Sequence, residues 1–266
     1  MKKIIAISMV LMMLFIILAA CTQRQGDAEE SWPAAVSETP VNVTESPAIA
    51  NGLGFDNVPT SPSKSYAKYI DMKGTAYDRI NAKLEENEDL HLSVGMSLLP
   101  ITFVDLSLIP LTVLSEEIKG AQAGLAKFGM TGVTIERNDQ DYSITYSDQD
   151  GNRNIQTCVY DPATDSLQSC IANDAGKETM FFEYVKVGNG YVSQYFMRNE
   201  DGYSKITSFF NESSLAAFGV ETTDTKPDSI FKTGNQTVDF VKNDDLYFIL
   251  KDNSLTVSEN GQEKMY

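Results

Sequence analysis

Apolar and polar positions along this chain change rhythm several times, and each rhythm predicts a different kind of structure. Ile4 to Leu18 is an almost uninterrupted apolar run behind Lys2 and Lys3, and it ends in Ala19 and Ala20 before polar chain begins. From Thr22 to about Lys64 the composition is Pro, Ser, Thr, Glu, Asn and Gly, which cannot bury enough surface to offset the entropy of ordering. Tyr66, Tyr69, Ile70, Tyr77, Ile80 and Leu84 then step by threes and fours, predicting one amphipathic helix over about 65–88 with Ser63 or Ser65 as N-cap. Gly74 falls inside it, at a cost of about 1 kcal/mol relative to alanine.

Residues 90–114 are the most apolar stretch after the leader. Leu92, Met96, Leu99, Phe103, Leu106, Ile109 and Val113 keep helical spacing, although period-two segments also fit short strands. Pro100, Asp105 and Pro110 interrupt the run, and Glu116 and Glu117 follow it in place of a cationic flank. Two or three short core helices broken near the prolines therefore fit better than a membrane span. Ser115 is a cap for a further helix over 115–128, with Ile118, Ala121, Leu125 and Phe128 as one stripe and Gly129 and Gly132 at its end.

Beyond Val133 the texture turns to strands. Segments rich in Tyr, Phe, Val, Ile and Thr alternate with turn clusters such as Asp148–Asn152, Asp161–Pro162, Asn173–Gly176, Gly188–Gly190 and Asn199–Gly202. Such spacing predicts successive antiparallel hairpins. After a loop near 221–235, Val238–Val241, Leu246–Leu250 and Leu255–Val257 read as further strands. The expected architecture is α+β: a single domain over 65–266, with N-terminal helices from 65–130 packed on a large antiparallel β-meander from 133–258.

The head of the chain has the layout of a secretory signal, too short in its apolar core for a spanning helix of about 20 residues. Leu18-Ala19-Ala20-Cys21 resembles the lipobox of bacterial lipoproteins. The resemblance covers residues 1–22 and implies cleavage after Ala20, a diacylglycerol on the Cys21 thiol, and localisation at the bacterial cell membrane or envelope on the extracytoplasmic side. Residues 21–64 then become a tether of about 35 Å root-mean-square length. Loss of the leader removes two lysines and no acid from a chain already at formal charge −16. Phosphates repel so acidic a chain, which argues against nucleic-acid partners.

With Cys21 lipidated, Cys158 and Cys170 are left in a disulfide-permissive compartment. The turn residues Asp161 to Asp165 centre near Ala163 or Thr164, and Cys158 and Cys170 lie equally far from Thr164 on either side, so a disulfide across two paired strands is expected, stabilising by about 3 kcal/mol. A register shifted by one residue would leave two free thiols.

Candidate chemistry is sparse. Ser65-Tyr66-Ala67-Lys68 and Lys232-Thr233-Gly234 match two of three signatures of penicillin-recognising serine enzymes, which would make Ser65 the nucleophile and Lys68 its base. An S-D-N element between them is missing, and a second S-x-x-K occurs at Ser61–Lys64. Asp148, Asp150, Gly151 and Asn152 resemble part of a calcium loop, yet its first and twelfth positions would be Tyr146 and Thr157, which supply no carboxylate. His91 is the sole histidine, so no zinc site is expected, and no cofactor-binding motif is found. The Tyr- and Phe-rich strands are apolar on both parities, which fits either a binding face for a peptide, glycan or lipid or a second layer of core. Helices on a broad meander behind a lipid anchor are loosely similar to envelope lipoproteins that carry or sense lipids. The resulting reading is a non-enzymatic, lipid-anchored protein that binds a ligand or partner; the alternative is an envelope serine hydrolase or acyltransferase using Ser65 and Lys68.

Overall fold

Helix α1 runs from Pro62 to Glu85. Pro62 lies in its first turn, where the missing N–H has no partner to lose and the fixed φ suits a helix, so the start falls ahead of the expected position. Ser61, extended in backbone, takes the N-cap place, and Ser63 and Ser65 lie inside the helix. Tyr66, Tyr69, Ala76, Ile80 and Leu84 form its buried face. Gly74 sits on the opposite side with open space where a side chain would be. The computed structural model describes residues 61–86, 95–200, 202–233 and 237–266, with backbone alone at 95, 96, 232 and 233. Cys21, the leader, the tether as far as 60, and His91 lie outside the described residues. All described residues fall within one unit, 47–266.

The apolar stretch resolves into a 3-10 turn at Gly95–Leu98, helix α2 at Leu99–Ser107 and a second 3-10 turn at Ile109–Val113. Pro100 and Pro110 occupy the first turns of their segments, so the run breaks near each proline as expected, with the proline on the starting side of the break. No described helix is long and apolar enough to cross a membrane. Lys73 ties α1 to α2: its Nζ donates to Ile101 O at 2.9 Å and to Asp105 Oδ1 at 2.6 Å. Burial pushes the Lys73 ammonium down and the Asp105 carboxyl up from their ordinary pKa values, while each charge opposes the other's shift.

Helix α3 spans Ile118–Ala126, and Gly129 at φ +77° ends it as its turn signal predicts. Ala121 and Leu125 are buried, whereas Ile118 and Phe128, expected on the same stripe, are exposed. Ser115 does not cap this helix. Its N–H donates to Ser63 Oγ at 3.0 Å while Ser63 N–H donates to Ser115 Oγ at 3.3 Å, which joins the start of α1 to the turn before α3.

Eleven strands follow: β1 Thr131–Asn138, β2 Asp141–Ser147, β3 Arg153–Asp161, β4 Ser166–Asn173, β5 Glu178–Val187, β6 Gly190–Arg198, β7 Tyr203–Asn211, β8 Leu215–Thr223, β9 Leu246–Lys251, β10 Ser254–Glu259 and β11 Gln262–Met265. They form one antiparallel sheet in strict chain order, the meander expected from the turn spacing, with one further strand at its end. Alternation sorts side chains onto two faces. On the face toward the helices, Tyr184, Ser193, Ser208, Phe218, Phe248 and Val257 are successive cross-strand neighbours from β5 to β10. Phe182, Tyr184, Tyr191, Phe210 and Phe218 join Tyr66, Tyr69 and the apolar side chains of α2 and α3 in one core. Tyr69 stacks on Tyr184 with ring centroids 4.7 Å apart.

The opposite face is covered by the connection between β8 and β9, where the chain leaves the sheet and returns. This connection carries helix α4, Ile230–Thr233, and a 3-10 turn at Val238–Asn243, the latter where a strand was expected. The reason is tertiary: Phe240 and Val241, adjacent in sequence, are both buried on the sheet's outer face, a demand that alternation in a strand cannot meet. Ile230 and Phe240 pack on Val185 and Val192, and Val241 packs with Ala217, Tyr247 and Ile249. Over these strands the double-sided apolar pattern thus serves a second layer of core.

Candidate functional site

Ser65, the expected nucleophile, faces the sheet from the first turns of α1 and is fully buried. Its hydroxyl donates to Asp165 Oδ1 at 2.5 Å. That proton being committed, the Tyr184 hydroxyl 2.6 Å away donates to Ser65 Oγ. Asp165 Oδ2 accepts from Tyr191 OH at 2.8 Å, and Tyr160 belongs to the same group. Burial drives the Tyr184 and Tyr191 phenols well above their ordinary pKa, so both stay protonated donors. Lys68 is half-buried and is not a partner of this hydroxyl, and Lys232 and Thr233 contribute no described side chain, with Gly234 outside the described residues. The sequence thus brings Ser65 together with a carboxylate from the β3–β4 turn, a residue that no motif marked. The cluster works as a clasp between helix and sheet.

The disulfide expectation is corrected. Cys158 pairs with Ser169 and Thr157 with Cys170, so the sheet register is offset by one residue from the one that would bridge them. Neighbours in that relation point to opposite faces, and both thiols are free. Cys158 is buried in the main core, while Cys170 lies 3.4 Å from Glu178 Oε2 on the other side. Burial, reinforced by that carboxylate, pushes the Cys170 thiol up to about 12, so it is a poor nucleophile at neutral pH.

Asp148 spends its carboxylate on its own turn, accepting from Asp150 N–H at 3.0 Å and Asn152 N–H at 2.9 Å. Among the described residues no group of three or more His, Cys, Asp or Glu side chains could hold a metal ion. Two other buried carboxylates anchor the β8–β9 connection. Glu183 accepts from Ile230 N–H and Ser229 Oγ, both at 2.7 Å, and from Gln168 and Gln194. Asp244 pairs with Lys205 at 2.8 Å and accepts from Thr207 Oγ1, with Glu221 on the far side of the same lysine.

Burial raises the Asp244 carboxyl to about 6 and Glu183 above the usual range. A carboxyl that holds its proton more tightly when folded than when unfolded, near 4, lowers stability as pH rises from about 4 through about 6. The melting temperature is therefore expected to be higher at pH 5.0 than at pH 7.5. Scanning calorimetry should show a smaller gain in Asp244→Asn; an equal gain in that variant would remove Asp244 as a source.

An open cleft of about 360 Å³ lies elsewhere, between the C-terminal end of α1 and two hairpin turns. Arg79 and Lys83 line it from the helix, Ser213 and Ser214 from the β7–β8 turn, and Asn253 from the β9–β10 turn. The turns are stiff. Asn211 Oδ1 accepts from the N–H groups of Ser213, Ser214 and Leu215 at 2.8–3.2 Å, and Asp252 N–H donates to Ser214 O at 3.2 Å. Asp252 and Asn253 both have positive φ, the pairing a tight two-residue hairpin requires. Lys83 is matched to Glu86 at 2.6 Å. Arg79 Nη1, by contrast, is buried and has no hydrogen-bond partner. No motif singled out Arg79; the available signal was two cations one helical turn apart in a strongly acidic chain.

No known family model matches this chain, and neither a curated protein nor a solved structure matches it.

Proposed function

We propose that the chain is a lipid-anchored extracytoplasmic protein that binds a ligand non-covalently and is not an enzyme. Its lipobox-like leader and polar tether support attachment through Cys21. The observation that carries the binding reading is the contrast between its two best-placed polar side chains. Ser65 is sealed in the core with its proton committed to Asp165, while the Arg79 side chain lines an open cleft and its buried Nη1 has no partner. A nucleophile needs access to its substrate and a base to take its proton. A binding residue needs unspent donors beside a concave surface, and Arg79 lines the cleft with a guanidinium whose Nη1 has no partner.

Two measurements on the full chain test the two halves of this reading. Treatment with a fluorophosphonate and with a fluorescent penicillin is expected to leave Ser65 unmodified, and stoichiometric labelling there would establish the hydrolase alternative. Replacing Cys21 with serine is expected to block processing of the precursor in cells and to remove the mature protein from the detergent phase. Normal processing with unchanged partitioning would refute the anchor.

A further inference from the structure

We infer that the cleft at the end of α1 is an oxyanion site, built to take the carboxylate or phosphate group of a small molecule on Arg79. This rests on the binding reading above and names its ligand class. The first argument is energetic. A buried N–H of a guanidinium left without an acceptor costs about 1–3 kcal/mol or more, a penalty that folded proteins normally remove by supplying a partner. Arg79 Nη1 carries that penalty beside an open volume of about 360 Å³, at the lower end of the range for small-molecule sites. Nη1 itself is closed to solvent, so an acceptor in the cleft relieves the penalty once the guanidinium turns toward the cavity that the Arg79 side chain lines.

The second argument is the pattern of charge. Arg79 and Lys83 are one turn apart on α1, a like-charge spacing that destabilises a helix unless something offsets it. Lys83 has Glu86, and its place in the last turn also suits the negative end of the helix dipole. Arg79 has no ion pair among the described residues. Asp252, the other acid at the cleft, is exposed and forms none with it.

The third argument is chemical fit. A guanidinium offers parallel N–H groups that match the two oxygens of a carboxylate or a phosphate, and cation and anion together make a strong charge-assisted pair. Ser213 from the facing turn adds a hydroxyl, and the stiff hairpins fix that wall before any ligand arrives. A cationic ligand would be repelled by Arg79, and a neutral acceptor would pair with it without the charge-assisted gain.

Isothermal titration of the full chain in detergent, at low ionic strength, with inorganic phosphate and separately with citrate provides the test. Binding of at least one is expected, weakened about ten- to a hundredfold in Arg79→Gln and largely retained in a control, Lys127→Gln, on the exposed end of α3. Phosphate binding alone assigns a phosphoryl ligand, citrate alone a carboxylate, and both a general oxyanion site; each supports the inference. Absence of binding by both anions, or equal affinity in Arg79→Gln, would overturn it. The binding reading is judged separately by native mass spectrometry of the same preparation: a neutral molecule carried through purification would preserve that reading while the oxyanion assignment falls.

Discussion

Replacing Asp165 with alanine is expected to destabilise the protein by about 4 kcal/mol, the scale for removing one member of a buried hydrogen-bonded charge network. The carboxylate accepts from Ser65 and Tyr191, both fully buried, so its removal leaves two buried hydroxyls without their acceptor. The melting temperature should fall by about 10 °C for a domain of this size. Asp165 also has φ +49°, a conformation that alanine adopts poorly and asparagine well. Comparing Asp165→Asn with Asp165→Ala therefore separates the turn from the carboxylate. In thermal denaturation, Ser65→Ala combined with Asp165→Ala should cost much less than the sum of the single changes, because the removed hydroxyl is the one the carboxylate served. Additive costs would mean that the clasp is not a unit.

The second large effect is expected at Gly219. It lies on the outer face of β8, in the cross-strand row Glu183, Gln194, Thr207, Gly219 and Tyr247. A Cβ there would overlap Asp244 Oδ2 and stand 2.7 Å from Thr207 Oγ1. Gly219 is thus the space that admits a buried carboxylate to the sheet. Gly219→Ala should expel it, leave Lys205 with Glu221 alone, and loosen the β8–β9 connection, at about 3 kcal/mol. Because the clash is with Asp244, adding Asp244→Ala should cost little more than Gly219→Ala alone. Urea titration of the four proteins measures this coupling, and fully additive losses would place the damage elsewhere. Hydrogen exchange in Ile230–Asn243 should rise in Gly219→Ala, since Asp244 is one of the two carboxylates holding that segment.

Much of the architecture was legible in local pattern. The three-and-four spacing from Tyr66 to Leu84 marked α1, and the succession of Asn-, Asp- and Gly-rich turns marked the meander. Asp148 illustrates the same legibility at a single residue, since its calcium-like neighbourhood read as a turn and is one. The prolines at 100 and 110 marked the breaks between the short helical pieces, each standing in the first turn of the piece that follows.

The failures share a cause. Cys158 and Cys170 missed each other by one residue because Asp161 pairs with Ser166, which puts the centre of the hairpin between Ala163 and Thr164 instead of on Thr164. The positive φ of Asp165 belongs to that turn, and Asp165 is in turn held by a helix distant in sequence. Val238–Val241 had the composition of a strand but became a 3-10 turn, because the outer face of the sheet offered burial to Phe240 and Val241 together. Both outcomes depend on contacts between segments far apart in the chain, to which a local window is blind.

The sequence alone determined the kinds of element and their order, since periodicity and turn chemistry are properties of neighbouring residues. Only the tertiary structure decided the register, the covering of the second face, and which polar groups are spent and which are left over. Ser65 and Arg79 make the difference concrete. The motif pointed to the serine, and three-dimensional packing consumed it; the arginine carried no motif, and packing left it half-buried at a cleft with its Nη1 lacking a partner. Whether a hydrogen-bonding group has a partner is a fact about space, and no spacing along the chain encodes it.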